Sequence, residues 1–220
     1  MEQIALRRAV DEEFAMTGAQ TPPWPDPHRD APVTDEEYSR CLDPGKYRIL
    51  AARVEAWTRV LTRFGLARAE PVDDPKAVWR SDPGVPVTEA VRLSPVRGGA
   101  VPLVVGFSAI DQVPRTITVL GAGAPAVALE RLPDCGCDAC DDGSANLLEM
   151  VDDAVLAVVQ GSFTHVDAGR GRRIVALGDD WSATDWDGSL PPVAEALAAA
   201  RADRSPYEVV RGTAWDDTGG

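Results

Sequence analysis

From Val87 to Leu132 the chain reads VTEAVRLSPVRGGAVPLVVGFSAIDQVPRTITVLGAGAPAVALERL. Four apolar runs stand out: Val87–Leu93, Val101–Ser108, Arg115–Leu120 and Ala126–Leu132. Each has the length of a strand, and each is bounded by turn residues. Arg97-Gly98-Gly99 is a hairpin signal between the first two. A shorter run, Ala77–Arg80, precedes them. Runs of this length, so close together, leave no room for crossover helices. They predict an antiparallel meander.

The flanks read as helices. Asp43-Pro44 opens the strongest one, with Asp43 as cap and proline suited to the first turn. Tyr47, Leu50, Val54, Trp57, Val60, Leu61 and Phe64 form one apolar stripe, ended by Gly65. A second helix is expected from a Ser144 cap to Gln160. Its Leu147, Leu148, Val151, Val155, Val158 and Val159 face inward, and Glu149, Asp152 and Asp153 face outward. Ser162–Val166 and Arg173–Leu177 suggest a hairpin, Pro191 or Pro192 to Ala200 a last helix, and Tyr207–Arg211 a terminal strand. At the other end, Glu2–Met16 is a short amphipathic helix. Five prolines between Thr21 and Thr34 then make an extended arm, on which Trp24 is an anchor. Thr34 with Glu37 is a capping-box signal for a helix through Arg40. The expected class is α+β: an antiparallel sheet of about five to seven strands packed by three to five helices. Residues 1–33 form the N-terminal helix and arm, and 34–220 one α+β domain.

The charge balance excludes several functions. Thirty-five acidic residues against 22 basic ones give a net charge of −13 in 220 residues. Nucleic acid and anionic membrane surfaces both demand a basic face. No apolar run approaches the length of a membrane span. Met1–Phe14 carries acids where a signal peptide has its apolar segment, so the expected location is cytoplasmic. Four cysteines in that compartment are expected to be reduced.

Three of the four lie within Cys135-Gly136-Cys137-Asp138-Ala139-Cys140. From Leu132 to Gly169 there is no lysine or arginine, while acids are frequent. Thiolates and carboxylates crowded in this way repel one another unless a cation or protons relieve them. Cys137 and Cys140 have the spacing of a zinc knuckle, and Cys135 adds a third sulfur. Zinc is therefore the candidate cofactor. Cys135, Cys137 and Cys140 are its candidate ligands, with Asp138, His165, Asp134 or Cys41 available for the fourth position. The competing readings are a turn of reduced thiols and a redox Cys-x-x-Cys. The surrounding acids weigh against the second by suppressing the thiolate.

Other motifs fail on context. Asp138–Glu149 nearly matches a calcium loop, but Cys140 stands where an oxygen ligand belongs and no helix enters it. Gly121-Ala122-Gly123-Ala124-Pro125-Ala126 mimics a dinucleotide fingerprint, but the chain reaches Pro133 too soon for the helix that phosphates need. A hairpin turn fits better. Neither Ser108, Ser144 nor Ser162 has a nucleophile-elbow context, and Arg170, Arg172 and Arg173 read as a solvated hairpin tip. His28 is expected to be exposed on the arm. Trp181, Trp186 and Trp215, each beside aspartates, read as lids over the core. The Trp181/Trp186 region is the one candidate surface for a protein partner.

With these residues in hand, the chain resembles the bacterial family called domain of unknown function 6226. The resemblance rests on Glu37-Tyr38-Ser39-Arg40, on Asp43-Pro44 with its helix, on Ala90-Val91-Arg92-Leu93, and on Cys135–Asp141 leading to Val155–Val159 and Gly161. It spans about Asp35 to Val166. It implies one folded unit and no particular activity. Two readings of function follow: a non-enzymatic binding or regulatory domain with a structural cysteine loop, or a metal- or thiol-dependent enzyme using that loop. No base or nucleophile besides the cysteines is marked, which favours the first.

Overall fold

The computed structural model describes residues 3–30, 32–80 and 82–216. Its four α-helices are α1 (Gln3–Thr17), α2 (Arg48–Arg63), α3 (Ser144–Val159) and α4 (Val193–Arg201). The first sheet is the expected meander: β1 (Ala67–Pro71), β2 (Glu89–Pro95), β3 (Leu103–Ile110), β4 (Val113–Gly123) and β5 (Ala126–Leu132), antiparallel and in chain order. β1 is a strand that the sequence pattern did not reveal. Its residues after Ala67 are all exposed, so no buried run marks it.

The class is α+β, with the strands divided between two sheets. The second sheet has the order β8-β7-β6-β9, from β6 (Phe163–Asp167), β7 (Arg173–Leu177), β8 (Asp180–Thr184) and β9 (Glu208–Arg211). α4 covers one of its faces, where Ala196, Leu197 and Ala200 meet Val166, Ile174 and Ala176. β8 is solvent-exposed at every position, which is why no alternation betrayed it.

The main core lies between the first sheet and α1, α2 and α3. Leu6 and Val10 of α1, Leu50, Trp57 and Leu61 of α2, and Val151 and Val155 of α3 pack there against Leu93, Leu103, Val105 and Leu120. Trp57 and Tyr47 are its largest buried side chains. The helix expected from Asp43 begins as a 3₁₀ turn, Pro44–Tyr47, before becoming α-helical. The Thr34–Glu37 capping box forms as expected, over a 3₁₀ turn at Asp35–Ser39.

The opposite face of the first sheet is covered by an irregular segment. Ala77–Arg80 was expected as a strand, but it makes one parallel bridge, Trp79 to Ala126. The reason is steric. The Trp79 ring lies on glycines: a Cβ at Gly106 would stand 2.8 Å from it, and one at Gly121 2.5 Å. The indole covers the sheet instead of extending it.

Two corrections concern α3. Asp152, expected to face water, is 4% exposed. It accepts two hydrogen bonds from Arg53, at 2.8 and 2.6 Å, and one from Trp57 Nε1 at 2.6 Å. Helical periodicity puts it on the rim of the apolar stripe, where a charge survives only if a partner meets it. The expected cap Ser144 is the first helical residue, and the cap position is Gly143 at φ +91°. A Cβ on Gly143 would lie 2.7 Å from Asp26 N, so the arm itself occupies the space a larger cap would need.

Candidate metal centre

The loop between β5 and α3 carries the three cysteines. Their Sγ atoms all lie within 4.8 Å of one another. Cys135 and Cys137 project to the same side, with sulfurs 3.1 Å apart, and a 3₁₀ turn over Asp138–Cys140 returns the third sulfur to them. Gly136 makes the tight path possible: its φ is +75°, and a Cβ there would strike Ile110 at 2.6 Å. Cys135 and Cys140 are exposed and Cys137 is half-buried.

The three thiols share their charge unequally. Burial opposes ionisation of Cys137. Hydrogen bonds from the Cys135 and Cys140 thiols and from the Cys140 and Ala139 backbone outweigh it, so its pKa falls below the ordinary thiol value. The same hydrogen bonds, with Cys135 first and Cys137 next, push Cys140 up to about 12. Without a cation, the cluster retains protons because neighbouring thiolates repel; a divalent cation removes that obstacle and releases the protons.

The rest of the loop is a joint between three segments. Asp138 accepts hydrogen bonds from Arg40 Nε and Leu42 N, both at 3.1 Å. Asp141 accepts from Trp24 Nε1 at 2.9 Å, Lys46 Nζ at 2.5 Å and Gly143 N at 3.0 Å. Ser144 Oγ donates to Trp24 O and accepts from Trp24 N. Trp24 packs edge-on against Tyr47, ring centroids 5.7 Å apart, so the expected anchor of the arm is real. His28, expected in solvent, is half-buried instead. Its Nδ1 lies 3.2 Å from Asp141 O and its Nε2 3.4 Å from Glu37. Burial opposes its protonation, and the Asp141 carbonyl with Glu37 and Asp26 overcome that, raising its pKa.

The structure thus brings Cys135, Cys137 and Cys140 together. It does not bring Asp138 or His165 to them among the described residues. Asp138 faces Arg40 and Leu42. His165 sits in β6 of the second sheet, opposite Val175 and Val210. Burial there, opposed by Asp167, lowers its pKa to about 4. Asp134 pairs with Arg131. Cys41 is half-buried, its thiol pushed up by burial and by Asp138.

The tryptophans separate into three environments. Trp215 is buried and donates from Nε1 to Val101 O at 3.0 Å. Trp186 is half-buried against Tyr207 and donates to Pro191 O at 2.8 Å. Trp181, expected to cover the core, is 56% exposed on β8. Sequence reasoning missed the Asp141 joint altogether. Its one signal was the pairing of an anchored Trp24 with an acid-rich loop that has no cation of its own.

The chain belongs to the family of unknown function DUF6226, whose model matches residues 10–219. The match extends beyond the stretch that the motifs alone carried, taking in the second half of α1 and the segment after Ala183. No curated protein and no solved structure matches the chain.

Proposed function

We propose that this chain is a non-enzymatic cytosolic binding or regulatory domain whose Cys135, Cys137 and Cys140 hold one structural zinc ion. The observation that carries the reading is the convergence of three sulfurs within 4.8 Å on a loop free of lysine and arginine. A soft, thiolate-rich set suits zinc among the common divalent cations. Asp138 is held by Arg40 and Leu42 and Asp134 by Arg131, so the three sulfurs are the ligands this reading assigns. The ion pins the loop, and the loop pins the arm through Asp141 and the 40–42 segment through Asp138.

The test is elemental analysis of tag-free protein purified without added metal, beside thiol titration with and without a chelator. About one zinc per chain is expected, with three thiols protected until the chelator is added. Metal below about a tenth of an equivalent, with thiols equally reactive either way, returns the loop to a turn of reduced cysteines. A second reading, thiol chemistry at Cys137, draws on its lowered pKa and on Cys135 Sγ at 3.1 Å. It predicts an oxidised, bridged cysteine pair in the metal-free protein after mild oxidation.

A further inference from the structure

The edge strand of the first sheet faces the second sheet around one carboxylate. β5 ends the first sheet and β8 ends the second. Three cavities of about 360, 190 and 180 Å³ lie between them, and Glu130 of β5 lines all three. Its position there is set by a bulge. Glu130 pairs with Leu120, while Gly121 pairs with Ala128, leaving Leu129 as the extra residue. A bulge re-aims the side chains beside it. Leu120 points into the main core, and a cross-strand partner shares its face, so Glu130 is turned toward α3 and the second sheet.

Among the described residues Glu130 has no ion pair. Its one hydrogen bond is from the Arg131 backbone N–H at 3.3 Å, while the Arg131 guanidinium is engaged by Asp134. Burial, assisted by Asp134, pushes the Glu130 carboxyl above the usual range. The largest and smallest of the cavities are lined by no lysine or arginine among the described residues. Asp180 stands in both, and Asp153, paired with Arg7, in the larger. Met150, Leu156 and Leu177 are apolar walls of the larger, with Gln3, Gln160 and Ser162 as its polar ones.

We propose that this groove binds a small organic cation, an alkylammonium or alkylguanidinium group that pairs with Glu130 and lays its methylenes along Leu177 and Met150. A carboxylate removed from water is costly until a cation meets it, and the cation supplies that partner. The alkyl chain buries apolar surface that the groove otherwise offers to water. A hard metal ion fits poorly, because it needs several converging oxygens, and among the described residues Glu130, Asp153 and Asp180 do not converge as a ligand group. The same chemistry arises from a free amine or from a lysine or arginine side chain of a peptide.

The test titrates the full-length chain with agmatine and, separately, with a blocked Gly-Arg-Gly peptide, at constant ionic strength. Heat and amide NMR shifts are the readouts. Saturable binding is expected, with Kd on the order of 0.1–1 mM and shifts of the Glu130, Leu177 and Asp180 amide resonances. Glu130→Gln should weaken it about tenfold or more, Asp180→Asn less, and Asp141→Asn, at the arm joint, not at all. Tighter binding of agmatine supports a free amine as the source; tighter binding of the peptide supports a protein side chain. Unchanged affinity in Glu130→Gln, or no saturation by about 10 mM, overturns the proposal. If Glu130→Gln does not fold, the wild-type shift map decides: shifts that avoid Leu129–Leu132 and Leu177–Asp180 overturn it as well.

Discussion

Two aspartates in this molecule do the same job in different surroundings. Asp152 on α3 takes the Trp57 indole and Arg53; Asp141 on the cysteine loop takes the Trp24 indole and Lys46. Both carboxylates are 4% exposed. What differs is what they join. Asp152 ties α3 to α2 in the main core, where Trp57 is wholly buried and Arg53 presents two parallel N–H groups. Asp141 ties an irregular arm to a loop, through a half-buried indole and a single lysine nitrogen. A rigid guanidinium fork fixes both oxygens of a carboxylate, whereas an ammonium is a point charge on a flexible stem. The core joint therefore stabilises the whole fold and the loop joint governs one segment.

That contrast makes its largest claim at Asp152. Replacing it by alanine strips the buried Arg53 of its two-pronged partner, leaving only Asp11 at 2.8 Å, and leaves the Trp57 N–H without its acceptor. The expected cost is about 3–5 kcal/mol, read as a lower denaturation midpoint at unchanged slope. Trp57→Ala should cost about as much by opening a cavity. The comparison fails if Asp141→Ala proves equally expensive.

Acid separates the regions by sign. His165 is buried neutral in the second sheet, with a folded pKa of about 4 against an ordinary 6.5. The unfolded chain binds that proton first, so stability falls as pH drops from about 6.5 toward 4, by roughly 3 kcal/mol in all. His28 works the other way: its pKa is raised in the fold, so its contribution to the arm is present at low pH and lost as pH rises. Burial opposes ionisation of Asp141, but Lys46, Trp24 and Gly143 hold its pKa below the ordinary 3.8, so it stays charged across this window. Acid should weaken the second sheet before the arm lets go. The difference between wild type and His165→Leu, followed by denaturation at stepped pH, isolates the histidine from Glu130, whose raised carboxyl acts in the opposite sense. Equal pH dependence in both proteins would remove His165 as the cause.

The same contrast explains what the sequence disclosed. Strands β2 to β5 and helices α2 and α3 announce themselves because one face of each is buried, and burial writes a period into the residues. β1 and β8 are exposed along most of their length and leave no such record. Asp152 was misread for a related reason: periodicity assigns a face, and cannot say that Arg53 on another helix waits there. The cysteine cluster was legible because its ligands are local in sequence. The Asp141 joint spans 117 residues to Trp24, and Glu130 owes its place to a bulge, so neither could be found by reading along the chain.

At the loop joint, the expected effect is smaller and confined. Asp141→Asn removes the Lys46 ion pair and weakens the hold on the Trp24 indole, at a cost of about 1–3 kcal/mol. Hydrogen exchange should rise in residues 24–28 and 138–143 while α2 and β3 keep their protection. If exchange rises evenly across the main core instead, the arm is part of the core's cooperative unit and the two joints are equivalent.

Trp181 completes the series as an indole with neither carboxylate nor core. At 56% exposed on a strand open to water at every position, it contributes little to the folded state of the free protein. Trp181→Ala should change stability by no more than about 0.5 kcal/mol, the range of surface substitutions away from special features. In a protein whose other tryptophans are replaced by phenylalanine wherever folding allows, acrylamide should quench Trp181 freely and Trp57 hardly at all. A stability loss comparable to that of Asp141→Asn would mean that this ring already serves the fold, and that its exposure is no sign of a binding surface.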